Sequence, residues 1–69
     1  MKVVNIITGI KIKINRIKKG VTQTELANRI GISRYYLSAL ERGKAKNPSI
    51  KVMRKLSEEL GESVQELFF

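Results

Sequence analysis

Arg34, Tyr35, Ser38 and Arg42 are the residues of this chain whose types and spacing could do chemistry, and that chemistry is recognition of a polyanion. If the segment around them is helical, a turn of about 100° per residue with Leu37 and Leu40 inward leaves all four on the outer side. An arginine so placed can address guanine O6 and N7 with two N–H donors, while serine and tyrosine hydroxyls can serve bases or phosphates. In a strongly basic chain this is the layout of a helix inserted into the major groove of DNA.

Such a helix needs a support. Leu26 and Ile30 lie four apart with Ala27 beside them, so all three can share one stripe of a preceding helix. Two helices crossing over a short turn need a small residue at their closest approach, and Ala27 is the candidate. Thr22 can cap that first helix, with Glu25 three residues on completing a capping box. Gly31 stands where the helix must stop, and Ser33 is a good N-cap for the next one.

Residues 22–42 are therefore read as a helix-turn-helix. Thr-Gln-x-x-Leu-Ala-x-x-Ile-Gly-Ile-Ser, then Tyr-Leu-Ser-x-Leu-Glu-Arg-Gly and Asn-Pro-Ser, resembles the lambda-repressor-like (XRE/Cro) family from about Ile10 to the C-terminus. The resemblance implies an all-α, five-helix domain whose second and third helices form the helix-turn-helix. It also implies a transcriptional regulator, expected as a repressor, acting as a homodimer on an inverted repeat in double-stranded DNA. By the same resemblance, Ser33, Arg34, Tyr35, Ser38 and Ala39 approach the bases, although Ala39 stands where many relatives carry a polar side chain and offers only a methyl group. Gln23, Ser33, Tyr36, Arg42, Lys44, Lys46 and Asn47 are the expected phosphate-contacting or positioning residues. Arg16 is expected to pair with Glu41, tying the first helix to the third. Small domains of this kind also serve as antitoxins that bind a toxin and repress their own operon, or as coactivators bridging proteins; both remain as alternatives.

Composition agrees with this and narrows the rest. The chain has 69 residues, no cysteine and no histidine, which excludes disulfides, zinc fingers and imidazole-assisted nucleophiles. Neither an enzyme, a metal site nor a cofactor is expected. Residues 1–55 hold all 14 basic side chains against Glu25 and Glu41, a net +12; residues 56–69 hold four glutamates and no base, −4, which together give +8. A basic body with an acidic end suggests one face for phosphate and another turned away from it. A membrane surface is not expected, on the premise that no basic helix has an apolar face to spare. The run Val3–Ile7 is too short for a signal peptide and lacks a cleavage site, so a cytoplasmic protein forming one domain over 1–69 is expected.

The flanks are less determined. Ile10-Lys-Ile-Lys-Ile-Asn-Arg-Ile alternates like a strand, yet Ile10, Ile14 and Ile17 also fall on one helical face; the family resemblance favours a helix. Residues 1–9 form an N-terminal extension: a strand pairing across a dimer, an extra helical turn, or an arm. A fourth helix from Ile50 to Leu60 would have Ile50, Met53, Leu56 and Leu60 as its inner stripe, with Ser49 as its cap. Ser63 would cap a fifth. Leu67, Phe68 and Phe69 are candidate dimer contacts, since terminal aromatics either close a core or mark an interface.

Overall fold

The ambiguous alternating stretch is helical. The computed structural model describes residues 5–45 and 47–69, and among these α1 spans Ile6–Lys18, α2 Gln23–Ile30, α3 Arg34–Glu41, α4 Ile50–Leu60 and α5 Val64–Phe68. The part of the N-terminal extension from Ile6 onward is thus helical; residues 1–4, and with them Val3 and Val4, lie outside the described residues. Asn5 starts α1, its Oδ1 accepting from the Thr8 backbone N–H at 2.9 Å.

An apolar residue at every second position cannot be buried on one side of a helix, because alternate residues point about 200° apart. The fold resolves this by burying Ile12 with Thr8 and Gly9 on the inner side of α1. Ile10, Ile14 and Ile17, which share a helical face in the sequence, occupy the outer side and are exposed. A basic helix with a spare apolar face therefore does exist, contrary to the premise drawn from composition.

α2 and α3 follow their local signals closely. Thr22 and Glu25 form the capping box: the Glu25 N–H donates to the Thr22 hydroxyl at 3.0 Å, and the Thr22 N–H donates to Glu25 Oε1 at 2.9 Å. That backbone N–H, then the threonine hydroxyl, hold the Glu25 carboxyl below the usual glutamate range, with attraction from Arg29 adding a smaller share. Gly31 ends α2 in the left-handed conformation at φ 77°, and its N–H and that of Ile32 both bond the Ala27 carbonyl. Ser33 then accepts from the Tyr36 N–H at 3.0 Å to begin α3.

Leu26, Ala27 and Ile30 of α2 meet Leu37 and Leu40 of α3, Ile12 of α1, and Met53, Leu56 and Leu60 of α4 in one core. Leu67 and Phe68 of α5 close it. Ser49 and Ser63 cap α4 and α5 as their positions predict. Ile50 is not part of the inner stripe. It is 59% exposed, because at the first helical position it lies roughly 100° round the helix from the centre of that stripe. Val52 packs against the core at that end instead.

Candidate nucleic-acid interface

α3 is fixed from behind and open in front. Leu37, Leu40 and Glu41 are its buried residues; Tyr35 stands opposite them, 82% accessible, with exposed Arg34 on the flank at the first helical position. Ser38 and Ala39 continue that side and are half-buried. Arg42 follows as the C-cap, exposed, with its Nε donating to the Ser38 carbonyl at 3.3 Å. An exposed tyrosine flanked by two guanidiniums on a rigid helix can stack, donate hydrogen bonds and neutralise charge, which are the elements of nucleic-acid recognition.

Behind this surface lies a network joining three helices. Arg16 Nε approaches Glu41 Oε2 at 2.6 Å, and Arg16 NH2 donates to Oε1 at 3.2 Å. Arg16 NH1 donates to the Val21 carbonyl at 2.8 Å, while Gln23 Nε2 donates to Glu41 Oε1 at 3.0 Å. The two side chains of the ion pair retain only 11% and 2% exposure. The Glu41 carboxylate therefore orients Gln23, the first residue of α2, as well as locking α1 to α3. A residue singled out for phosphate contact is thus held in place by the structural pair.

Ser33 is exposed and Tyr36 half-buried, with its ring packed against the core, so Tyr36 steadies the start of α3. Lys44 and Asn47 are exposed in the loop after α3; Lys46 lies outside the described residues. Arg42 and Lys44 share an open cleft with Asn5, Ile6 and Ile7 at the start of α1. Leu67 and Phe68, considered as dimer contacts, are instead core residues at 1% and 5% exposure, and only Phe69 remains outside at 70%. α5 packs against both α4 and α1, which takes both side chains into the core.

Gly9 escaped the sequence reading, and Gly43, legible there as the glycine that ends α3, has a second role. A Cβ on Gly9 would lie 2.3 Å from the Glu41 carbonyl oxygen and 2.6 Å from that of Leu40, so α1 touches the backbone at the end of α3. Gly43, at φ 70°, stands in the same relation to the start of α1: its Cβ would lie 2.7 Å from the Asn5 carbonyl carbon and the Ile6 nitrogen. Each contact depends on tertiary placement, and nothing local to either glycine announces it. Among the described residues no group of acidic, histidine or cysteine side chains could hold a metal ion, and no helix is long and apolar enough to cross a membrane.

Known proteins share this arrangement. The sequence model of the helix-turn-helix family matches residues 12–67. The transcriptional regulator SinR of Bacillus subtilis is 42% identical over 59 residues, covering 86% of this chain and 53% of that protein. The chain spans about half the length of that relative. A crystal structure of SinR in complex with DNA superposes with a TM-score of 0.81 at 40% identity, covering 90% of this chain and 98% of that one. The restriction-modification controller protein C.AhdI of Aeromonas hydrophila superposes equally well, at 0.81 and 33% identity over 91% of this chain and 94% of that one. The fold is thus one that known helix-turn-helix proteins share, and this chain belongs to the lambda-repressor-like (XRE-type) helix-turn-helix family.

Proposed function

We propose that this chain binds double-stranded DNA in a sequence-dependent manner and represses transcription by occupying its site. The observation that carries the reading is α3: its back is locked by Arg16–Glu41–Gln23, while Arg34 and Tyr35 are left exposed. The superposition on SinR, solved in complex with DNA, supports a DNA-binding role for this fold.

Arg34, Tyr35, Ser38 and Ala39 face the base edges in this reading, with Ala39 limited to a methyl contact. Gln23 has two amide hydrogens, so it can hold Glu41 with one and donate the other to a phosphate. Ser33, whose oxygen caps α3, keeps its own hydrogen for the same use. Arg42, Lys44, Lys46 and Asn47 line the continuing backbone and supply affinity without sequence information. Two copies, joined with Phe69 at the contact, place two α3 helices in successive major grooves about 34 Å apart on an inverted repeat.

Selection from a random duplex pool at about 0.15 M salt tests this. Enrichment of an inverted repeat with half-sites one helical turn apart is the expected result. Enrichment of a single half-site removes the dimer and keeps the reader. No enrichment at all removes sequence-dependent binding and favours a role through a protein partner.

A further inference from the structure

α1 carries a second apolar face that lies outside the core formed by the described residues. Ile6, Ile7, Ile10, Ile14 and Ile17 are each between 44% and 64% exposed. On a helical projection they fill one continuous arc of roughly 100°, centred opposite the buried Ile12 and uninterrupted by any polar residue. Single exposed isoleucines need no explanation, but a contiguous strip of five on one helix marks a contact surface. Four of them, Ile7, Ile10, Ile14 and Ile17, alternate at spacings of three and four, the a and d positions of two heptads, which is the seam that accepts one further helix.

The flanks decide what that helix is. In this register Lys11 and Lys18 take the e positions and Lys13 a g position. A second copy of α1 would set these lysines against one another in either orientation, with each body already carrying a net +12 over residues 1–55. Complementarity requires glutamate or aspartate along both edges of an apolar seam. Lys11 is also held at this edge, its Nζ 2.9 Å from the Glu66 carbonyl oxygen of α5. We infer that the outer face of α1 docks an acidic amphipathic helix of a partner protein. The inner face of α1 packs on α3, and the Ile7 end of the outer face adjoins Arg42 and Lys44 across the cleft at the start of α1. The inference does not rest on the DNA-binding proposal, and its test contains no DNA, so either can fail without the other.

The test uses the whole chain and a labelled synthetic peptide of three heptads, with leucine at a and d and glutamate at e and g. Two control peptides carry lysine at e and g, or serine at a and d. Fluorescence anisotropy at about 0.15 M salt should show the acidic, leucine-seamed peptide binding at least tenfold more tightly than either control. Ile10→Ser combined with Ile14→Ser should weaken it at least tenfold while leaving the unfolding midpoint unchanged, since both side chains are solvent-facing. Equal binding of the lysine-flanked peptide, or binding indifferent to the serine substitutions, overturns the inference. Two further outcomes also overturn it. Dimerisation in sedimentation that the same substitutions abolish assigns the face to a second copy. Isoleucine-dependent binding to phosphatidylglycerol vesicles, with no peptide binding, assigns it to a lipid surface.

Discussion

Gly9 of α1 lies so close to Glu41 of α3 that a Cβ on it would come within 2.3 Å of the Glu41 carbonyl oxygen. The two helices meet backbone to backbone there, a few residues from the Arg16–Glu41 pair that ties them by charge. The position of α3, and so of every side chain on its outer face, rests on this crossing.

Gly9→Ala should therefore destabilise the protein. In an open helix alanine would gain about 1 kcal/mol over glycine, but the clash is with backbone and outweighs that, for a net loss of ~2 kcal/mol or more. Gly31→Ala is the comparison. Its Cβ would have nothing within 4 Å, so only the φ of 77° opposes it, at about 1 kcal/mol. Urea unfolding of both variants checks the order, and a Gly9→Ala midpoint at or above that of the natural chain contradicts the crossing described.

Arg16→Met leaves the Glu41 carboxylate buried with Gln23 alone and should cost ~3–5 kcal/mol. Adding Glu41→Leu removes the stranded charge and should recover much of the loss. Denaturation of the single and double variants measures this, and strict additivity of the two losses would show that the pair does not act as a unit.

Glu25 makes the protein acid-sensitive in a specified direction. Its carboxyl titrates below the usual glutamate range because the Thr22 N–H and hydroxyl favour its charged form. Below about pH 4 the unfolded chain then binds the extra proton first, so stability rises with pH in that window. The contribution is complete above the unfolded value and is lost as pH falls through the folded one. A carboxyl-carbon NMR titration of Glu25 in the folded and urea-unfolded chain should give a lower midpoint when folded; coincident midpoints refute the capping box as its cause.

Much of the helix-turn-helix was legible because its signals are local. Thr22 with Glu25, Gly31, Ser33, Ser49 and Ser63 each act within four residues of themselves, and each caps or ends the helix its position predicts. α1 was less legible, since its inner face is set by Thr8 and Gly9 rather than by its isoleucines. Period-two spacing of isoleucine says nothing about which of them turns inward. The fates of Ile50, Leu67 and Phe68 depend on where short helices end relative to the core, a matter of tertiary register. Gly9, and the close approach of Gly43 to the start of α1, were invisible for the same reason, because each contact comes from a chain segment more than thirty residues away.

In the proposed complex α3 reads sequence while the loop beyond it grips the backbone. The most direct measurement is a salt titration of DNA affinity for the natural chain, Arg34→Ala and Lys44→Ala, on the selected duplex and on a scrambled one. Arg34→Ala should lose ~1–3 kcal/mol on the selected duplex, little on the scrambled one, and relax preference at one base step. Lys44→Ala should weaken both duplexes alike and reduce the salt slope by about one unit. If the two variants behave identically on both duplexes, the assignment of α3 as the reader is wrong.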